Sequence, residues 1–183
     1  MANSFPMPLL ERGKRVFLRS PRSRDSEEFL GLVRAGRRLH HPWTHPPDTA
    51  QRYEGYLRRC RREDFRGLFV CLREEGVIAG VFNLSQILRG GFQNAYLGYY
   101  VGARFANRGY MTEGLRLVLR HAFHRMKLHR LEANIQPENL DSIELVRRCG
   151  FRREGFSPRY LKVGGRWRDH ERWAITAEGK RSK

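Results

Sequence analysis

Between Tyr96 and Met126 three signals follow one another. Tyr96, Leu97, Gly98, Tyr99, Tyr100 and Val101 read as an apolar, aromatic strand. Arg104 to Gly109 is a short basic loop with one glycine, and from Met111 to Met126 apolar residues recur at helical spacing. A strand that turns through glycine into a helix leaves the first helical N–H groups without internal partners, at the positive end of the helix dipole. A phosphate accepts several of those N–H bonds at once. Gly109 lets the main chain approach such a ligand with no Cβ in the way, and Arg104 and Arg108 can add charge-assisted contacts. The loop is neither a Walker loop nor a G-x-G-x-x-G fingerprint. Its two readings are a phosphorylated-cofactor site and an ordinary strand-to-helix turn.

The rest of the chain alternates in kind. Arg15 to Arg19 reads as a first strand, and Ser23 to His40 as a helix with Ser23 or Asp25 as cap. His41 to Pro47 holds three prolines and is a loop. Asp48 and Thr49 can cap a second helix to about Arg62. Gly67 to Arg73 and Val77 to Ile87 read as strands around the turn Glu74-Glu75-Gly76, and Arg89-Gly90-Gly91 turns toward the Tyr96 strand. His129 to Gln136 alternates as a strand that Pro137 stops. Asn139 opens a helix that ends before Gly150. Arg159 to Val163 and Arg166 to Ile175 form a hairpin around Gly164-Gly165. The order β-α-α-β-β-β-α-β-α-β-β implies one mixed α/β domain over residues 1–183, with flexible tails at 1–10 and 177–183.

Composition narrows the function classes. With 183 residues, 40% hydrophobic and 30% charged, the chain suits one globular domain. No apolar run reaches the roughly 18 residues of a membrane span, and the N-terminus lacks the features of a signal peptide. Cys60, Cys71 and Cys149 are odd in number and widely spaced, which points to reduced thiols in a cytoplasm. His40, His41 and His45 invite a metal, but Pro42 and Pro46 prevent a helical i,i+4 pair and no carboxylates accompany them. The net charge is +17, and five of the 36 basic residues are lysine, the rest arginine. Such a field attracts nucleic acid or a ribosome. The basic residues are scattered along the chain, so an arginine-rich background explains them equally well.

A second constellation, Asn139-Leu140-Asp141-Ser142 followed by Arg147-Arg148-Cys149-Gly150-Phe151, supplies another well-capped helix start after another strand. Two helix starts behind two adjacent strands can face one cleft. Together these residues resemble the GCN5-related N-acetyltransferase (GNAT) superfamily. The loop resembles that family's pyrophosphate motif, Gln/Arg-x-x-Gly-x-Gly/Ala: Gly109 matches the central glycine, while Ala106 and Met111 depart from it. Asn139-x-x-Ser142, Gly150-Phe151 and Glu154-Gly155 are similar to the RimJ/RimL branch, as are Tyr160-Leu161-Lys162, Trp167-Arg168-Asp169-His170 and His41-Pro42-Trp43.

The resemblance implies a mostly antiparallel sheet, splayed between its fourth and fifth strands and flanked by about four helices. It implies acetyl-CoA as co-substrate, no metal, and direct acetyl transfer to an amine through a tetrahedral intermediate. The implied cofactor residues are Tyr99, Tyr100, Val101, Arg104, Ala106, Asn107, Arg108, Gly109, Tyr110, Met111, Asn139 and Ser142. Ser142 and Tyr160 are the candidate acids for the leaving thiolate. Asn134 stands where RimI-type relatives have a glutamate. Glu113 and Glu154 are possible bases, with ion pairing as the alternative, and Trp43 is a candidate for the acceptor site. The implied acceptor is the N-terminal amine of a protein, ribosomal in this branch, and the chain would act as a monomer or homodimer. The alternatives are a basic RNA- or ribosome-docking module on the same fold, and an acetyltransferase for a small-molecule amine.

Overall fold

Two stretches whose side chains alternate, 65–72 and 78–88, pair antiparallel and carry a separate apolar core on each face. The structure, a computed structural model, describes residues 9–178. In chain order its elements are β1 (Leu9–Arg12), β2 (Val16–Arg19), α1 (Ser26–Ala35), α2 (Arg37–His40), α3 (Ala50–Cys60), β3 (Phe65–Leu72), β4 (Ile78–Leu88), β5 (Asn94–Val101), α4 (Tyr110–Arg120), β6 (Arg130–Ile135), α5 (Leu140–Arg148), β7 (Arg152–Val163) and β8 (Arg166–Thr176). The strands form one open sheet in the order β1-β2-β3-β4-β5-β6-β8-β7. Every pairing is antiparallel except β5 with β6.

On one face Leu68, Val70, Phe82 and Leu84 meet Leu115, Val118 and Leu119 of α4. Gly114 makes that close approach possible, because a Cβ there would lie 2.9 Å from Val70 Cγ2. On the other face Phe29 of α1 stacks on Phe69 and Tyr56 of α3, with ring centroids 5.6 and 5.9 Å apart. Each large apolar side chain fully buried in this way contributes about 1.5–3 kcal/mol. Beside this second core the buried Arg19 and Asp25 form a bidentate pair at 2.6 and 3.1 Å.

Several boundaries differ from the sequence reading. β1 is an additional strand, so the sheet has eight strands and the splay falls between β5 and β6. The expected tails lie mostly outside the described residues. Of their described ends, Leu9 and Leu10 belong to β1, and the Ala177 N–H bonds the His129 carbonyl at 2.9 Å. The helix expected over 23–40 begins as a 3₁₀ turn at Ser23–Asp25 and is interrupted at Gly36. Gly36 has φ −89° and ψ 3°, outside the helical basin, which re-aims the chain and yields a fifth helix. The helix expected to Met126 widens into a π turn over His121–Arg125. The closing hairpin starts at Arg152, directly after the left-handed Gly150 and the buried Phe151.

One feature of the sheet positions everything that follows. β5 and β6 pair in parallel only through Asn94↔Arg130, Ala95↔Leu131 and Tyr96↔Glu132. Beyond Tyr96 the two strands part, and β6 continues with β8 as its sole neighbour.

Candidate active site

The gap between the parted strands is a cleft of about 450 Å³. Its walls come from the end of β5 (Tyr99, Tyr100, Val101), the following loop (Phe105, Ala106, Asn107, Gly109) and Met111 and Thr112 of α4. Asn139, Asp141, Ser142, Glu144, Leu145 and Arg148 line it from α5 and its cap, and Leu39, His40, Trp43 and Thr44 from the end of α2 and the turn after it. Eight of the expected cofactor residues thus share the wall with Asn139: Tyr99, Tyr100, Val101, Ala106, Asn107, Gly109, Met111 and Ser142.

The β5 wall has an open hydrogen-bonding edge. Gly102 N–H donates to the Ala79 carbonyl at 2.9 Å, so residue 102 is in the bonded register with β4. Alternation along a strand then sends the amide and carbonyl of Val101, and those of Tyr99, toward the opposite edge, where β6 has already diverged. His40 Nε2 lies 2.8 Å from the Val101 carbonyl.

The two helix starts differ. Gly109, at φ 77° and ψ 1°, opens α4, and no side chain among the described residues caps it. Arg15 holds the turn from behind. Its Nη1 donates to the Arg108 carbonyl at 3.0 Å, and its guanidinium carbon lies 4.8 Å from the Tyr110 ring centroid. Glu113, in the first turn of α4, accepts from Arg15 N–H at 2.7 Å and Arg15 Nε at 3.2 Å. Burial works to raise the Glu113 pKa, but bonds from the Arg15 and Val16 amides and the Arg15 guanidinium outweigh it, and the net shift is downward. At α5 the start is closed by its own residue, since Asn139 Oδ1 accepts the Ser142 N–H at 3.3 Å.

Across the cleft, Ser142 and Tyr99 are joined twice. Ser142 Oγ donates to the Tyr99 hydroxyl at 2.6 Å, and the Tyr99 hydroxyl donates to the Ser142 carbonyl at 3.0 Å. Burial raises the Tyr99 pKa and the bond to Ser142 opposes that only in part, so the phenol stays protonated at neutral pH. The sequence reading gave Tyr99 a main-chain role only. Its phenol escaped notice because the partner is 43 residues away.

Other expected residues sit elsewhere. Arg104 lies over the Phe105 ring at 4.5 Å, and Arg108 contributes its carbonyl to Arg15. Tyr110 lies beneath Arg15, beside Phe105. None of these three side chains lines the cleft, and neither does Tyr160, which packs on β7 near the His170 ring at 6.3 Å. Glu154 is bonded to Arg130, and Glu113 to Arg15. Asn134 Oδ1 on β6 is buried without a partner among the described residues. Met111 fits where the family motif has a small residue because β4 has Gly80 beneath it, where a Cβ would lie 2.4 Å from the Met111 sulfur. Among the described residues no three His, Cys, Asp or Glu side chains gather to hold a metal ion. The three cysteines form no disulfide.

An open strand edge, an uncapped helix start and a hydroxyl pair in one groove fit an extended ligand with amides, a diphosphate and a thiol end. The comparisons agree. The family described as "Acetyltransferase (GNAT) domain" matches residues 15–152. The probable N-acetyltransferase YjcK of Bacillus subtilis is 33% identical, over 90% of this chain and 95% of that protein. The [ribosomal protein uS5]-alanine N-acetyltransferase of Escherichia coli is 31% identical, over 88% of each. Among solved structures, Mycobacterium smegmatis RimJ in complex with CoA-disulfide superposes with a TM-score of 0.82 at 31% identity, covering 89% of this chain and 82% of that one.

Proposed function

The chain belongs to the GNAT acetyltransferases and is an acetyl-CoA-dependent N-acetyltransferase, and from that premise we propose that its acceptor is the N-terminal α-amino group of a ribosomal protein. The observation that carries the acceptor class is the 31% identity to the uS5-alanine enzyme along nearly the whole chain.

Acetyl-CoA supplies the activated thioester, and the chain's own groups do the rest. The uncapped N–H groups at Gly109–Met111 bind the diphosphate. The open edge of β5 at Tyr99 pairs with the amides of the pantetheine arm as an added strand would, and the Val101 N–H is left for the thioester carbonyl. Asn139 keeps its side-chain N–H groups for the same arm while its Oδ1 caps α5. Ser142 turns its hydroxyl from Tyr99 to the departing sulfur and passes it a proton; Tyr99, 2.6 Å away, turns to donate to Ser142 Oγ, and the proton that the attacking amine gives up to water makes good the one spent. Tyr160 has no part in this scheme. Holding both reactants in line accounts for much of the rate, up to about 7–11 kcal/mol. A free α-amino group has a pKa of about 7.7–8.0, so a neutral fraction is present at physiological pH and water suffices to take its proton.

This reading puts the enzyme in the cytoplasm, beside ribosomes. The +17 charge and a 61%-exposed Trp167 opposite Lys162 on the β7–β8 hairpin favour a second, compatible reading: docking on ribosomal RNA. Such docking would weaken steeply with salt. The direct test of the acceptor is incubation with acetyl-CoA and synthetic ribosomal-protein N-terminal peptides, scored by coenzyme A release and mass spectrometry. Acetylated peptide N-termini are expected. Acetylated spermidine with untouched peptides would overturn the acceptor assignment.

A further inference from the structure

His40 is 5% exposed, lies on the cleft wall and sits edge-on to Tyr100 with centroids 5.4 Å apart. A carbonyl can only accept, so the 2.8 Å contact with Val101 puts the ring hydrogen on Nε2. Nδ1 is then a bare acceptor, buried without a partner among the described residues. An unmatched buried nitrogen costs stability, so the contact is poorly explained as a device for holding the fold together. What it does hold is the last residue of the open β5 edge. The amide and carbonyl of Val101 face the cleft together, and a bond to the carbonyl sets the direction of that residue's N–H.

We propose that His40 is a positioning residue for acyl transfer: by clamping the Val101 carbonyl at the end of the cleft wall, it aims the Val101 N–H at the acyl oxygen of the bound thioester. Gly36 is part of the same device. A Cβ at residue 36 would lie 2.4 Å from His40 Cε1 and 2.7 Å from Nε2, so the imidazole reaches Val101 only because residue 36 has no side chain. The φ of −89° at Gly36 is open to alanine, which makes Gly36→Ala a probe of ring position rather than of backbone strain.

Three measurements test this, and the spectroscopic one is independent of the acceptor. In isotope-edited infrared spectra of bound acetyl-CoA carrying a ¹³C-labelled carbonyl, the thioester band should lie at lower frequency in wild type than in His40→Phe. That variant keeps a ring but loses the donor, and its affinity for free coenzyme A should be unchanged. Its kcat should fall roughly 10–100-fold, less than the loss on deleting a direct oxyanion donor, with KM for acetyl-CoA within about threefold. His40→Gln, which restores an N–H donor, should recover most of that loss. In a double-mutant cycle, Gly36→Ala should lower kcat in wild type and do nothing further in His40→Ala. The proposal is overturned by identical carbonyl bands in wild type and His40→Phe, by wild-type kcat in His40→Phe, or by additive effects of Gly36→Ala and His40→Ala. Failure of acetyl-CoA to bind the wild-type protein would overturn it together with the cofactor assignment.

Discussion

The starts of α4 and α5 face the same cleft, yet they meet the same electrostatic problem in opposite ways. α4 begins at a left-handed glycine with no capping side chain, and its first-turn acid, Glu113, is turned away to Arg15. α5 begins with Asn139, which satisfies the Ser142 amide internally. An N-terminus that has its own cap has little left for an anion, whereas a bare one favours negative charge by several unmatched N–H groups. On the proposed function, this difference gives α4 the ligand charge and α5 the side-chain chemistry, with Ser142 in its first turn and Tyr99 behind it.

If that division is right, the largest effect comes from putting a carboxylate at the bare start. Gly109→Glu should weaken coenzyme A binding by at least about 100-fold in calorimetry, because the charge opposes the diphosphate and the φ of 77° disfavours any side chain. Gly109→Ala separates the two causes, since it carries the backbone strain alone. Retained affinity in Gly109→Glu would remove α4 from the cofactor site. Next in size, Ser142→Ala should lower kcat about 100-fold with KM for acetyl-CoA little changed. Tyr99→Phe should cost less, and the double variant little more than Ser142→Ala alone, because the two hydroxyls form one relay. Full additivity in steady-state kinetics would separate their roles.

Asn139→Ala should add to a weaker hold on the pantetheine arm a loss that Gly109→Glu lacks. It removes a cap, so about 1 kcal/mol of stability is lost, seen as a melting temperature lower by about 2–4 °C. The smallest effect concerns Glu113. Its carboxyl titrates below its ordinary 4.5. A depressed folded-state pKa adds stability above the unfolded value, and that stability is lost as pH falls through the folded one. Glu113→Gln should therefore lower stability near neutrality and flatten the fall in melting temperature as the pH drops below 4.5. An unchanged acid slope would mean that the Arg15 contact is energetically idle.

The strand–loop–helix segment was legible because its signals are local: an aromatic run, one glycine and an apolar period. The α5 cap was legible for the same reason, since Asn139 and Ser142 are three residues apart. β1 was not legible, because Leu9–Arg12 is four residues long with an irregular pairing to β2. The break at Gly36 was hidden inside a good helical pattern. There the His40 ring occupies the place a Cβ would take, a contact made by folding. The Tyr99–Ser142 and His40–Val101 contacts bridge 43 and 61 residues, distances over which composition and spacing carry no information. Tyr160 shows the converse, since a hydroxyl in a family-like motif can sit on a hairpin away from the groove.

An open sheet normally has two borders, and evolution blunts both. Because β5 and β6 separate after Tyr96, this one has a third border in its interior, flanked by strands that are fully laddered on their other sides. The amides of Tyr99 and Val101 therefore lie in the middle of the molecule yet should exchange their hydrogens like those of a peripheral strand. A bound chain should slow that exchange more than at any site on the outer rim.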